Sequence, residues 1–252
     1  MHPIREIHDV RRERVFLILA GLFLSSMTML NILGITRFVQ LGPLAVAVGV
    51  LPYPLTFLCT DLIGELYGRK RAAFVVWCGL IVNVFVLSFV WLGHQLPSVA
   101  PDRQPPWQTL ALAESVPLAN GMDSGTEPQL FTIVYACTAG SVLASMLAYL
   151  AAQFCDVYLF HFWKRLTNGK HLWLRNNGST LGSQLVDSIV VVTIVFWRQL
   201  SGGELAAADF LVLMLSNYAF KAGAALVDTL PFYFLTGWLS RYLDIDPMTV
   251  RE

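Results

Sequence analysis

The sequence predicts an all-α integral membrane protein, a single domain of six transmembrane helices over residues 1–252. Of its 252 residues, 56% are hydrophobic and only 13% are charged, whereas about 25% of the residues of a soluble domain are charged. The apolar residues form runs of about 20, the length that a helix needs to cross the roughly 30 Å core of a bilayer. The connections between these runs alternate between rich and poor in lysine and arginine, which is typical of a multi-pass membrane protein.

Composition also excludes several other classes of protein. A disordered chain would be polar and highly charged. The 17 basic residues balance 17 acidic residues, so the chain lacks the basic excess of a nucleic-acid-binding surface. The four cysteines lie inside apolar runs and form no CxxC pair, which argues against a zinc site or a disulfide framework. We therefore expect no nucleic-acid partner, no metal and no cofactor.

Six segments are apolar and long enough to span a bilayer. The first segment is too long for a cleaved signal peptide and no A-x-A site follows it, so we expect an uncleaved signal-anchor. The fourth and sixth segments are long enough to tilt or to run past the bilayer. The predicted spans are 15–38, 43–67, 72–94, 130–160, 180–200 and 210–242.

Basic residues predict the orientation of these spans, because lysines and arginines beside a span stay in the cytoplasm. Of the 17 basic residues, 13 fall at the two ends of the chain or in every second connection. The opposite connections contain only Arg37, Arg103 and Arg198. Both termini are therefore predicted to be cytoplasmic. The connection 95–129, rich in Pro, Ser, Gly and acidic residues, is predicted to be an external loop or short lid.

Polar side chains inside the predicted spans need an explanation, because a charge at the bilayer centre costs at least about 2.5–3.5 kcal/mol. Asp61 and Glu65 are four residues apart and share one face of the second helix. The polar residues of the fifth and sixth spans also keep to one face of each helix. We expect these faces to turn inward around one cavity. The residues in the fifth and sixth spans are Thr180, Ser183, Gln184, Asp187, Asn217, Lys221 and Asp228.

Some of these residues also have a structural interpretation. Glu65 lies close to the basic residues after the second span, so an interfacial salt bridge and a ligand role both stay open. Lys221 is predicted to neutralise Asp187 or Asp228 across helices, which does not exclude a site. Asp61 and the other two acids have few such explanations, because three buried acids face one buried base.

Two segments beside the polar helices add candidate residues. Pro52-Tyr53-Pro54 is predicted to kink or break the second span, because proline removes a backbone donor, and this places Tyr53 beside the cavity. The Asn-Asn-Gly-Ser-Thr stretch 176–180 opens the fifth span. Its Asn-Gly pair is a turn signal, and its Ser or Thr is a good helix N-cap. Capping and ligand binding therefore both remain open for this stretch.

Three stretches together carry a recognisable pattern. The stretch 51–71 combines a tyrosine–proline pair, an aspartate, a glutamate, a tyrosine–glycine pair and a basic cluster. The second stretch is 175–187, and the third is Lys221 with the segment 228–231. In these stretches the chain resembles the queuosine precursor transporter family, and the remaining spans agree in number and orientation. The connection 95–129 is longer than expected for that family.

The resemblance implies import of a purine-like small molecule, 7-cyano-7-deazaguanine or 7-aminomethyl-7-deazaguanine, across a bacterial inner membrane for queuosine modification of tRNA. It also implies a fold similar to the substrate-binding subunits of energy-coupling-factor transporters. The lipid bilayer is the other partner, and a homo-oligomer is left open. The candidate substrate-binding residues are Tyr53, Asp61, Glu65, Asn176, Asn177, Gln184, Asp187, Lys221 and Asp228.

The chemistry of these residues suits a guanine-like ring. One carboxylate can accept both of its adjacent N–H donors through charge-assisted hydrogen bonds. Amide side chains both donate and accept, so they suit the carbonyl and the five-membered ring. Tyr53, Phe57 and Phe232 are candidate stacking partners, because aromatic stacking on a base contributes about 1–3 kcal/mol in other proteins.

Two other classes of function stay open. A membrane-embedded enzyme would need a nucleophile and a histidine at membrane depth, but the five histidines all fall at span ends or in loops, so we expect no enzyme. A substrate-binding subunit would need a separate ATPase, because this chain has no G-x-x-x-x-G-K-[ST] loop.

Overall fold

The computed structural model describes residues 3–167 and 172–245, and long helices dominate these two ranges. By length and composition, every helix among them except α2 could cross a membrane. The prediction of an all-α integral membrane protein is therefore confirmed. The helices are α1 (Pro3–Leu33), α2 (Tyr53–Tyr67), α3 (Arg69–Gln95), α4 (Leu130–Leu166), α5 (Leu172–Ser201) and α6 (Ala207–Leu243).

The second predicted span differs most from the structure. Within 43–67, only the part from Tyr53 onward is a long helix, and α2 has 15 residues. The residues before it form an antiparallel hairpin of β1 (Phe38–Leu41) and β2 (Leu44–Ala47), with Gly42 at φ 59° in its turn. The two prolines mark the start of α2 and do not kink its interior. Proline is tolerated there because the first N–H groups of a helix have no internal partner.

The fifth predicted span begins earlier than expected. Helix α5 starts at Leu172, so the stretch 176–180 is helical and the predicted turn and N-cap there are wrong. Contacts with α4 explain why Gly178, a weak helix former, occurs inside α5. A Cβ on Gly178 would lie 3.0 Å from the ring nitrogen of Trp163, so the glycine lets the two helices approach closely.

The chain forms two compact units. Unit 1 comprises the described parts of Met1–Leu30, Leu51–Val86 and Gly223–Glu252, and unit 2 comprises those of Asn31–Val50 and Leu87–Ala222. Unit 1 has an apolar core from α1, α2, α3 and α6. Its buried members are Leu19, Ala20, Phe23, Cys59, Leu62, Ile63, Leu66, Val75, Leu239 and Leu243.

Arg12 of α1 ties the ends of α2 and α6 to α1 in unit 1. Its guanidinium donates to the backbone carbonyls of Leu243 at 3.1 Å and Asp244 at 2.6 Å, just where α6 ends. The carbonyl of Arg12 in turn accepts a 2.8 Å hydrogen bond from the hydroxyl of Tyr67, the last residue of α2. A cation at the last carbonyls of a helix also interacts favourably with its dipole. Arg12 therefore has a structural task in addition to the predicted one of orienting α1 in the membrane.

Unit 2 is built on α4 and α5, which pack along each other. Along α4 a small residue recurs at every fourth position, and four of the five are buried alanines. Small side chains let two helix backbones approach closely within a membrane. These residues are Ala136, Gly140, Ala144, Ala148 and Ala152.

Two of the three connections that the sequence predicts to be external contact α5. The ring of Phe38 in β1 lies 5.7 Å from that of Phe196 in α5. In the connection 95–129, backbone hydrogen bonds form an irregular hairpin over 108–130. Arg198 of α5 donates a 3.2 Å hydrogen bond to the carbonyl of Gly121 in this hairpin. The connection is thus an ordered part of unit 2.

Candidate functional site

A cluster of buried polar side chains joins α5 and α6 in unit 2. The ammonium of Lys221 donates a hydrogen bond to Oδ2 of Asp187, and the two residues are only 5% and 8% exposed. One helical turn from Lys221, the amide of Asn217 donates to the hydroxyl of Ser188 at 3.1 Å. We call these four residues the ion-pair cluster. Of the two acids that the sequence offered to Lys221, the structure selects Asp187.

The polar face of α5 leads into the ion-pair cluster. Gln184 lies one turn before Ser188 and is 7% exposed. Ser183 is also buried, and its hydroxyl donates to the carbonyl of Thr180 at 2.9 Å. These positions follow the spacing of one helix face. The amide of Gln184 can both donate and accept, and the ion pair beside it carries no net charge. This face could therefore hold a polar, uncharged solute.

Unit 1 contains a second pair of acids, one on α2 and one on α6. Asp228 is 8% exposed, whereas Asp61 is exposed. Among residues 3–167 and 172–245, no ion pair involves either acid. Asp61 is therefore a carboxylate that is open to an external hydrogen-bond donor.

Two aromatic residues, Tyr53 and Phe57, lie at the start of α2. The rings of Tyr53 and Phe57 lie 4.5 Å apart, edge to face. The hydroxyl of Thr56 donates to the carbonyl of Tyr53 at 2.6 Å and is buried within the first turn. Phe232 of α6 packs against the apolar core of unit 1, which occupies at least one side of its ring.

The remaining candidate residues give less support to the site. Glu65 is exposed, and no ion pair joins it to a described side chain, whereas the side chain of its predicted neighbour Arg69 lies outside the described part of the chain. Arg71 pairs instead with Glu13, at 2.9 Å. The side chains of Asn176 and Asn177 lie outside the part of the chain that the structure describes. One shared cavity for all the candidates stays a prediction.

Some buried polar residues escaped the sequence analysis. Ser188, the partner of Asn217, could have been found because it stands four residues after Gln184 on the same face. Thr138 and Ser141 of α4, and Asn31 of α1, are also buried. Their short side chains are common in apolar helices, so nothing in the local pattern singled them out. Across the described ranges, no group of three or more His, Cys, Asp or Glu is arranged to hold a metal ion.

Comparisons with known proteins place the chain in a family. It matches the family model "Putative vitamin uptake transporter" over residues 47–235. The "Probable queuosine precursor transporter" of Bacillus subtilis is 28% identical, over 80% of this chain and 76% of the relative. The "Queuosine precursor transporter" of Escherichia coli is 25% identical, over 73% of this chain and 70% of the relative.

No solved structure matches the chain, and the likeness to energy-coupling-factor subunits stays a prediction. The family match covers well over half of the residues, and it contains all three stretches on which the sequence resemblance depends. The predicted resemblance to queuosine precursor transporters is confirmed by the relatives. This multi-pass membrane protein therefore belongs to the vitamin uptake transporter family.

Proposed function

We propose that the protein imports a 7-deazaguanine precursor of queuosine, either the 7-cyano or the 7-aminomethyl compound, across a bacterial inner membrane. The names of the relatives support this class of solute. The observation that carries the proposal is the buried ion-pair cluster, in which Lys221 and Asp187 hold polar groups together inside two apolar helices. Such residues are costly within a membrane and commonly mark a solute pathway.

The two acidic groups have different tasks in this proposal. Asp187 is engaged by Lys221, so the pair adds no net charge beside the amides of Gln184 and Asn217. Asp61 has no cationic partner among the described residues and accepts the two adjacent N–H donors of the guanine-like ring. A charge-assisted pair of hydrogen bonds is roughly twice as strong as a neutral pair. Tyr53 stacks on the ring.

The protein acts as a carrier in this proposal and catalyses no reaction. The family names support transport, and a cycle of binding and release needs no covalent step. Six crossings with both termini in the cytoplasm follow from the basic-residue pattern. A reporter fused after Glu252 should then behave as cytoplasmic, and one inserted within 98–120 as external. The opposite result at either point would overturn this orientation.

The function can be tested in bacteria that make no queuosine precursor and have no other importer for it. Cells that produce this protein should restore queuosine in tRNA when either deazaguanine is supplied at low concentration, whereas cells with an empty vector should not. Equal queuosine content in both strains would refute the proposal. Uptake by the purified protein in liposomes would show that no ATPase partner is needed.

A further inference from the structure

A second group of buried polar side chains lies in unit 2, near the end of α4 that begins at Leu130. Thr138 and Ser141 are 0% and 5% exposed. They are three residues apart, so they lie on the same face of α4, one turn from each other. Ser141 faces the end of α1, because a Cβ on Gly34 would collide with its hydroxyl oxygen. The hydroxyl of Ser141 is thus enclosed between α4 and the segment that follows α1.

Gln199 of α5 lies at the same level as these hydroxyls. The register of the two antiparallel helices follows from Gly182, which packs against Leu159. Seventeen residues further along α5 is Gln199, and seventeen residues back along α4 is Val142, the neighbour of Ser141. We call Thr138, Ser141 and Gln199 the hydroxyl subsite. It lies about 18 Å along α5 from Asp187 of the ion-pair cluster, at 1.5 Å per residue.

The polar atoms of the hydroxyl subsite have no partner within the described protein. The hydroxyls of Thr138 and Ser141 and the side-chain carbonyl of Gln199 are buried and make no hydrogen bond to a described residue. Hydroxyls inside helices often donate to a carbonyl one turn back, as that of Thr28 does to Leu24. Buried polar groups nearly always have a partner, so each exception needs an explanation. Three exceptions at one level indicate a partner that the chain does not provide.

We propose that the hydroxyl subsite binds the neutral heterocycle that the protein imports, before the solute reaches the ion-pair cluster. This inference rests on the proposed function. Each hydroxyl can donate one hydrogen bond and accept two, and the carbonyl of Gln199 accepts two more. None of the three residues is charged, so the subsite suits a ring with adjacent N–H and C=O groups. It lies toward Ser201, the end of α5 that the basic residues predict to face outward.

Neutral hydrogen bonds suit a subsite on the way in, because they are weaker than bonds to a charged group. The solute can therefore leave the hydroxyl subsite easily and move to the charged residues. Loss of a hydroxyl should then weaken the first encounter and leave the later steps unchanged.

The test uses Thr138→Val and Ser141→Ala in the full chain, with deazaguanine uptake measured over a range of concentrations. Valine keeps the shape of threonine and removes only the hydroxyl. We expect each variant to raise the KM for uptake about threefold to tenfold, with an unchanged maximal rate per molecule of protein in the membrane. A purely structural role would lower the amount of protein and leave KM unchanged.

Two further variants complete the test. Thr236→Val in α6 is the matched control, because its hydroxyl is also buried without a described partner but belongs to unit 1. Its KM should equal that of the unmodified protein. Thr138→Ser keeps the hydroxyl and should keep a near-normal KM.

The possible outcomes separate this inference from the proposed function. If the unmodified protein imports deazaguanine but neither Thr138→Val nor Ser141→Ala raises KM, the subsite is overturned and the function stands. The subsite is also overturned if Thr138→Ser raises KM as much as Thr138→Val does. It is overturned as well if neither Thr138→Val nor Ser141→Ala accumulates in the membrane. If the unmodified protein imports no deazaguanine, the proposed function fails and this inference fails with it.

Discussion

Each of the two units buries an acidic residue in an apolar helix, but only in unit 2 does that residue form an ion pair. In unit 2, Asp187 is neutralised by a hydrogen-bonded Lys221. In unit 1, Asp228 is equally buried, yet neither it nor Asp61 has an ion-pair partner among the described residues. A buried charge is costly unless it is paired. The comparison teaches that the fold neutralises Asp187 through its ion pair, whereas the two acids of unit 1 have no such cationic partner in the described part of the chain.

The largest effect should come from breaking the ion pair of unit 2. Lys221→Met leaves Asp187 buried without its cation, which costs about 3–5 kcal/mol in similar cases. We expect a lower amount of protein in the membrane and a lower unfolding temperature in detergent. Adding Asp187→Asn should recover part of the loss, whereas adding Asp228→Asn should recover none. Equal recovery by both companions would show that Lys221 does not discriminate between the two acids.

The next effect concerns the open carboxylate of unit 1. Asp61→Asn replaces one acceptor by a donor, which would face the N–H donors of the solute. The loss should be on the order of 3 kcal/mol, or about a hundredfold in affinity. Deazaguanine uptake should fall while the amount of protein stays normal, because Asp61 is exposed and unpaired in the described structure.

Asp209→Asn is the matched control for this experiment, because Asp209 is an exposed acid in the first turn of α6. It should import the solute normally. Unmodified uptake by the Asp61→Asn, Asp187→Asn and Asp228→Asn variants alike would refute a carboxylate site in either unit.

The smallest effect concerns the connection 95–129 of unit 2, which is predicted to be external. Gly121 and Gly125 both have positive φ angles, 80° and 71°, so an alanine costs about 1–2 kcal/mol of backbone strain at either position. Only at Gly121 would the new Cβ also collide with the guanidinium of Arg198. Gly121→Ala should therefore make the connection easier for a protease to cut in intact cells than Gly125→Ala does. Equal cleavage rates would show that the Arg198 contact does not hold the connection in place.

The number and order of the helices could be predicted from the sequence, because hydrophobic length alone decides whether a segment can cross a bilayer. The start of α2 could not be predicted in this way. The run from 43 to 52 is apolar enough for a span, but β2 and a 3-10 turn occupy it. Hydropathy reports burial in an apolar environment and does not distinguish a hairpin packed on helices from a continuing helix.

The site shows a similar division between what spacing can and cannot predict. The polar face of α5 followed from residues four apart, and a pairing of Lys221 with a buried acid followed from charge balance. The choice of Asp187 depends on how α5 meets α6, which no local pattern encodes. The early start of α5 was missed because Gly178 reads as a helix breaker until its contact with Trp163 is known.

The shortness of α2 has a consequence for the surrounding lipid. Its 15 residues extend about 22 Å at 1.5 Å per residue, whereas the hydrocarbon core is about 30 Å thick. For α2 to cross the bilayer, the headgroup layer would have to dip toward it, or water would have to reach its ends, at a cost of fractions of a kcal/mol per Å of mismatch. Lipids with shorter acyl chains remove that mismatch, so bilayer thickness becomes a variable that tunes this part of the protein.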